Sequence, residues 1–327
     1  MFEPIDNTNP RDHNFLNTGM KSDVWRGSVQ EVAAGVGADF DIEYVPCGYV
    51  GDDGYFVEPL YTTGVAIGQS RDRYILRADT KAVLGVHSGK YPDRDAYSHV
   101  FDTLEQLWPN SCESITVFGD GERAVVEQVL DEPIDLGGGD EIQPYLYTRM
   151  SLNGQWKTET IPVHRRLSCE NMLGYVGQII GVRATKNHDT LLTLRSSTLD
   201  KAMAQQQTLV QMARVFKDQE FTDEQFMSMI AALVPHPVPD AHERTLTAWA
   251  HKRGAMLAQW KRECDEWGGS MWTAYNAAQG AEQHRISKNY KNTEAANQRS
   301  LTKALDGKTP IADAASDYLR ALVVIAA

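Results

Sequence analysis

The chain contains 327 residues, of which 44 are acidic and 32 are basic, so its formal net charge is −12. This length allows one large domain or two ordinary ones, and a hydrophobic fraction of 42% excludes a largely disordered chain. The longest apolar run, 321–327, is far shorter than the roughly 20 residues that cross a bilayer, so no membrane segment is expected.

The negative charge is unevenly distributed along the chain. Residues 91–141 carry 13 acidic and two basic side chains, a net charge of −11, whereas residues 142–201 carry a net charge of +4. Such asymmetry is a useful indicator of localised partners. The overall charge therefore does not exclude nucleic acid, but it limits nucleic acid to the second of these stretches.

Three regions are expected in chain order. Residues 1–20 are rich in Asn, Asp and Pro, which predicts an irregular N-terminal arm. Residues 21–200 are expected to form an α+β core domain, and residues 201–327 a helical C-terminal region. Within the first half of the core, the spacing of apolar residues predicts two helices and a series of short strands. The helices are expected at 29–38 and 92–107, and the strands at 41–45, 55–61, 74–76 and 82–86.

Two hairpins dominate the second half of the core. Gly119-Asp120-Gly121 separates strands predicted at 114–118 and 123–130, and Asn153-Gly154 separates strands predicted at 142–151 and 155–168. A helix is predicted at 169–181. The expected fold class is therefore α+β, an antiparallel hairpin-built sheet with a packed helix, in a β-β-β-α-like core.

The C-terminal region changes to helical periodicity. Apolar residues predict helices at 199–216, 222–234, 271–286 and 312–325, together with a long one that begins near Asp240. The spacing of Trp249, Trp260 and Trp267 is nearly helical, which favours packing between helices over a platform for nucleic-acid bases.

Motifs for nucleotide or zinc binding are absent from the sequence. Gly307-Lys308-Thr309 resembles the end of a phosphate-binding loop, but Thr302 replaces the required leading glycine. The four cysteines are far apart, which suits a reducing cytoplasm, and no Cys-x-x-Cys pair occurs. Asp39, Asp41 and Glu43 would share one face of an extended strand. They indicate either a metal site of the nuclease kind or the solvated side of an edge strand.

The basic stretch contains the main candidate site. Its arginines and lysines could neutralise phosphates, and its aromatic residues could stack on unpaired bases. An ordinary solvated sheet face and a site for a small anion remain alternatives. The proposed backbone contacts are Arg149, Lys157, Arg165, Arg166, Arg183 and Lys186, and the proposed stacking residues are Tyr145, Tyr147 and Trp156.

A signature in the same stretch resembles a known family. The run from Arg166 through Cys169 and Asn171 to Leu173, followed by Arg183-Ala-Thr-Lys-Asn187, resembles the motifs of the phage/plasmid-like family, a prokaryotic mobile-element family with a domain of unknown function. Met172 and Ala184 depart from the residues usual there. The turn before a helix would be capped by Asn171, with Cys169 as a small buried residue, so both are interpreted as structural.

The order of strands and helix is also similar to that of phage single-strand annealing proteins of the Redβ, RecT and Erf kind. This similarity implies a phage-encoded protein that binds and anneals single-stranded DNA in recombination or replication, as a ring or filament of identical subunits. It would work in the host cytoplasm without a nucleotide cofactor. Two alternatives remain open: a factor that contacts a host protein through the acidic stretch, and a metal-dependent nuclease.

Overall fold

A computed structural model describes most of the chain between residues 27 and 326. The described ranges are 27–47, 72–88, 95–130, 132–166, 209–286 and 309–326, with residue 93 and six short strands at 49–50, 56–57, 60–62, 67–69, 172–173 and 180–182. Within them the fold is α+β, as the sequence predicts.

The strands of the described ranges form four antiparallel sheets. Two of these sheets are short hairpins, β2 with β3 and β4 with β5. The strands are β1 (Ile42–Pro46), β2 (Tyr49–Val50), β3 (Phe56–Val57), β4 (Leu60–Thr62), β5 (Ile67–Gln69), β6 (Arg73–Arg77), β7 (Val83–His87), β8 (Cys112–Phe118), β9 (Arg123–Val129), β10 (Ile134–Asp135), β11 (Glu141–Ser151), β12 (Thr158–Arg166), β13 (Met172–Leu173) and β14 (Ile180–Val182).

Within the described residues, six helices accompany the sheets, and residues 209–217 are helical as well. None of the described helices is both long and apolar enough to cross a membrane. The helices are α1 (Val29–Gly35), α2 (Ser98–Leu107), α3 (Asp223–Leu233), α4 (Glu243–Trp267), α5 (Met271–Gly280), which continues as a π-helical turn over Ala281–Arg285, and α6 (Pro310–Ala326).

The large sheet has the strand order β13-β12-β11-β9-β8, with β10 beside β11 and β14 beside β12. Both predicted hairpins are present. The turn between β8 and β9 needs left-handed backbone at Gly119 and Gly121, with φ of 62° and 115°, and Gly154 adopts φ 73° between β11 and β12. Glycine accepts these angles without steric cost, which is why these turns fix the strand register.

Helices α1 and α2 cover one face of the large sheet. Val29 and Val32 of α1 and Phe101 and Leu104 of α2 join one buried cluster with apolar residues of β8, β9 and β11. Ser28 starts α1 through a capping box with Glu31, which satisfies backbone donors that the helix itself leaves unpaired. Both helices precede the sheet in the chain.

The prediction of a helix at 169–181 is wrong for the described parts of that segment. Met172 and Leu173 instead pair as β13 with Arg165 and His164, and Ile180–Val182 pairs as β14 with residues 158–160 of β12. The open edge of β12 offers unpaired backbone groups, and these two apolar runs use them. Backbone pairing at a sheet edge thus outweighs the helical spacing of the sequence.

The small sheet, in the order β1-β6-β7, lies beside the two hairpin turns of the large sheet. Arg77 of β6 donates to the carbonyl of Asp120, and a Cβ atom at Gly85 of β7 would lie 2.6 Å from the carbonyl oxygen of Leu152. Tyr97 also donates to the carbonyl of Gly121 at 2.7 Å. The hairpin turns are therefore held in place by three separate contacts.

The C-terminal helices pack around α5, in which every residue is buried. Trp260 of α4 stacks on Phe226 of α3 with ring centroids 4.4 Å apart, and the Trp249 indole donates to the carbonyl of Val234. The interpretation of these two tryptophans as packing residues is confirmed.

Candidate functional site

The predicted basic residues of β11 and β12 are buried and paired with carboxylates. Arg149, Arg165 and Arg166 are 8%, 2% and 0% exposed. In this fold their guanidinium groups face Glu159, Glu127 and Asp140 rather than an open groove. This is a correction to the expected strip of exposed cations, because a charge buried in the sheet must be neutralised by a neighbour.

Arg166 connects the large sheet to the C-terminal helices. Its Nε and Nη2 donate to the two oxygens of Asp140 at 2.6 and 3.0 Å, and its Nη1 donates to Glu263 of α4 at 2.7 Å. Trp272 of α5 donates to the same Asp140, at 3.0 Å. Trp267 lies under the guanidinium, 4.8 Å from it. The arrangement is a structural clamp between two parts of the fold, and no phosphate contact is assigned to Arg166.

Arg165 belongs to a second buried network on the opposite sheet face. Its Nη1 donates to Glu127 at 3.0 Å, and the hydroxyl groups of Tyr147 and Ser114 donate to the same carboxylate. Burial, together with the adjacent charge of Glu127, raises the pKa of Tyr147 well above its usual value. Tyr145 and Tyr147 are 1% and 0% exposed, so neither ring is open to a base, which corrects their expected stacking role.

Three of the predicted residues, Arg149, Trp156 and Lys157, lie at the end of the large sheet where both hairpin turns are. We use the name "hairpin end" for these three residues together with Phe118 and Arg123. The ring of Phe118 meets that of Trp156 edge to face, with centroids 5.5 Å apart. The guanidinium of Arg123 lies 4.9 Å from the Trp156 ring and 5.2 Å from the Phe118 ring. That of Arg149 lies 5.8 Å from Trp156.

Strand register explains why these side chains meet. Phe118 pairs with Arg123 across the β8–β9 hairpin, Arg149 pairs with Val125, and residues that face each other across strands point to the same side of a sheet. Trp156 follows the turn of the next hairpin. Two hydrogen bonds fix its backbone: the Trp156 N–H donates to the Ser151 hydroxyl at 2.9 Å, and that hydroxyl donates to the Trp156 carbonyl at 2.8 Å.

Arg123 differs from the paired arginines of the sheet. Within the described chain it has no carboxylate partner, and its buried Nε has no hydrogen-bond partner. Its positive charge is held by the faces of two aromatic rings, an arrangement worth about 0.5–1 kcal/mol at an exposed site. The hairpin end therefore carries a guanidinium that no carboxylate of the described residues pairs with.

Lys157 contributes a second cation at the hairpin end. Its side chain is 49% exposed, and its ammonium lies 3.5 Å from Glu159. The same Glu159 accepts from Nε and Nη2 of Arg149 at 2.9 and 2.5 Å. One carboxylate thus lies between two cations.

Four of the predicted residues lie outside the described part of the chain. These are Arg183, Lys186, Cys169 and Asn171. Leu173 is described only through its pairing with His164 across β12 and β13.

The acidic residues predicted as a nuclease site lie in a different place. A cleft of about 780 Å³ separates α1 and β1 from the start of α2. Across the described ranges no group of three or more His, Cys, Asp or Glu side chains is arranged to hold a metal ion. Asp39, Asp41 and Glu43 therefore do not form such a group. The carboxylates that line the cleft are Asp39, Asp41, Glu43, Asp95 and Asp102.

Sequence reasoning missed Arg123 and Glu159. The observed register shows where each lies: the four-residue turn 119–122 places Arg123 opposite Phe118, and the second hairpin, centred on Gly154, places Glu159 opposite Arg149. The buried carboxylates Glu127 and Asp140 lie in the acidic stretch, where composition alone indicated only a solvated or contact surface.

A family model covers most of the features just described. The model of a domain of unknown function, DUF932, matches residues 84–305, which is more than half of the chain. The chain belongs to the DUF932 family. No curated protein matches it, and no solved structure does. The DUF932 match includes the whole large sheet and α2 to α5, so the hairpin end and the Arg166 clamp both lie inside the family domain.

Proposed function

We propose that this DUF932 protein binds single-stranded DNA and that the hairpin end is the contact. The observation that carries the proposal is Arg123, a guanidinium held between Phe118 and Trp156 with no carboxylate partner among the described residues. Arginine binds phosphate oxygens through its planar fork of N–H donors. A cation already positioned by two rings loses little conformational freedom when it makes that contact.

Lys157, immediately before β12, supports the same proposal. Its side chain is half exposed, and a lysine near an oriented arginine gives a second charge to the phosphate backbone. Trp156 holds both arginines instead of presenting a bare ring. Its role in binding is therefore to position the two cations and not to stack on a base.

Other parts of the proposal depend on the sequence resemblance alone. Annealing of complementary strands, assembly into rings or filaments of identical subunits and a place in phage recombination or replication follow from the similarity to the single-strand annealing proteins. Arg183 and Lys186 remain proposed phosphate contacts on the sequence alone.

The experiment is a binding titration with a fluorescein-labelled 30-nucleotide single strand, followed by fluorescence anisotropy at low salt. Wild type is expected to bind, and Arg123→Gln is expected to bind about tenfold more weakly, the effect of one charge-assisted hydrogen bond of roughly 1.5 kcal/mol. The matched control is Lys261→Gln, because Lys261 is an exposed cation on α4. Equal affinities of the Arg123 variant and wild type, with unchanged far-UV circular dichroism, would contradict the proposal.

A second candidate function is favoured by the cleft between α1, β1 and α2. All of its lining residues lie in the described chain, and they include five carboxylates and no lysine or arginine around an apolar floor. Such a surface fits a basic segment of a partner protein, and Asp95 and Asp102 belong to the acidic stretch of the sequence. Calorimetry with a lysine-rich peptide tests it. Asp39→Asn with Asp41→Asn should weaken binding, whereas the exposed Glu224→Gln should not, and equal affinities would contradict this function.

A further inference from the structure

Glu159 lies at the centre of the charges of the hairpin end. Its Oε2 accepts two hydrogen bonds from Arg149, while its Oε1 lies 3.5 Å from the ammonium of Lys157. Glu159 is 5% exposed and Arg149 is 8% exposed, so this pair is buried. Lys157 is half exposed and reaches the carboxylate from the solvent side.

The two contacts of Glu159 differ in strength. The contact with Arg149 consists of two charge-assisted hydrogen bonds in a buried site, and such pairs resist separation. The contact with Lys157 is longer than a hydrogen bond, and exposed ion pairs contribute little. An incoming phosphate can therefore draw Lys157 away from Glu159 but leaves Arg149 in place.

We infer that Glu159 sets the affinity of the hairpin end for phosphate by holding Arg149 beneath Trp156 and by competing with the DNA backbone for Lys157. This inference rests on the function proposed above. Glu159 is a positioning residue in it, since it touches the two cations and not the DNA.

The competition predicts that loss of the carboxylate strengthens binding. Glu159→Gln keeps an acceptor for Arg149 and releases Lys157 to the backbone. One additional phosphate contact steepens the log–log salt dependence by ~0.7 for a single strand. When the salt concentration falls from 1 M to 0.1 M, the affinity of the variant should therefore rise about fivefold more than that of wild type. A residue with only a structural role would leave the slope unchanged or weaken binding.

Matched variants separate this effect from a general change in charge. Asp93→Asn removes a carboxylate from another ion pair, the exposed one with Arg73, and is expected to leave the slope unchanged. Lys157→Gln alone is expected to weaken binding. In the Lys157→Gln background, Glu159→Gln should lose most of its gain, because the released lysine is then absent.

The experiment is a salt titration of these variants with the labelled single strand, after circular dichroism has shown that each one folds. Tighter binding and a steeper slope for Glu159→Gln, dependent on Lys157, are expected. Affinity equal to or below that of wild type overturns the inference. If Glu159→Gln does not fold, the Lys157→Gln variant tests the inference in its place. An affinity of Lys157→Gln equal to that of wild type overturns the inference. Failure of wild type itself to bind would instead overturn the proposed function.

Discussion

Arg166 and Asp140 form a two-pronged ion pair that is fully buried where the large sheet meets the C-terminal helices. The two N–H groups of Arg166 approach the two carboxylate oxygens at 2.6 and 3.0 Å, and both side chains are at most 1% exposed. Glu263 of α4, Trp272 of α5 and, at 3.6 Å from Asp140, Lys217 also contact this pair. A residue that the sequence assigned to DNA thus joins two parts of the fold.

Replacement of Arg166 is expected to destabilise the protein strongly. Arg166→Met removes the buried counter-charge of Glu263 and leaves Asp140 with the more distant ammonium of Lys217 at 3.6 Å, which costs about 3–5 kcal/mol in the free energy of unfolding. Urea denaturation followed by circular dichroism measures it. Arg73→Met is the control, since Arg73 pairs with Asp93 at the surface, and it is expected to cost less than about 1 kcal/mol. Similar losses for both variants would contradict the clamp.

Glu127 and Arg165 are expected to contribute to the free energy of unfolding as a pair and not independently. Glu127→Gln removes a buried charged acceptor of the Arg165 guanidinium, on which Glu113 also acts, and should destabilise the protein by about 3 kcal/mol. Replacement of both residues by Met removes both charges of the pair, although Glu113 remains, and should recover part of that loss. Urea denaturation of the two single variants and the double variant gives the coupling energy. Additive losses would show that the two residues act independently.

His164 is expected to make the protein sensitive to acid. Burial lowers the pKa of His164 to about 4 in the fold, against about 6.5 in the unfolded chain. As the pH falls, the unfolded state therefore binds the proton first. The free energy of unfolding is unaffected by His164 above pH 6.5 and declines by about 1.4 kcal/mol per pH unit as the pH falls towards 4. His164→Gln should flatten the pH dependence of the thermal midpoint in this window. The exposed His99→Gln should not, and an unchanged slope for His164→Gln would contradict the assignment.

Trp156 is expected to act on DNA binding through Arg123. Trp156→Ala removes the ring 4.9 Å from the guanidinium, a contact of about 0.5–1 kcal/mol, and should weaken binding of the single strand about two- to fivefold. Trp156→Phe keeps an aromatic face and should retain most of the affinity. Anisotropy titrations of both variants measure this. Equal weakening by Ala and Phe would show that the indole contacts DNA in another way.

Local signals in the sequence were sufficient for most of the large sheet. Gly119-Asp120-Gly121 and Asn153-Gly154 placed both hairpins, because each turn requires backbone angles that glycine adopts most readily. The capping pair Thr222 and Gln225 likewise begins α3, close to its predicted start.

Long-range pairing was not visible in the sequence. The helix predicted at 169–181 fails where β13 and β14 pair with β12, and α2 begins at Ser98, six residues after the expected start. For the same reason Arg165 and Arg166 looked available for phosphate. Their carboxylate partners are 38 and 26 residues away in the sequence, so only the folded sheet brings them together.

The salt dependence of single-strand binding tests the central proposal most directly. Wild type, Arg123→Gln and Lys261→Gln are titrated with the labelled single strand from 50 to 300 mM salt. We expect the log–log slope to fall by ~0.7 in Arg123→Gln, the value for one lost phosphate contact, and to stay unchanged in Lys261→Gln. No binding by wild type at low salt, or identical slopes for all three proteins, would contradict the account.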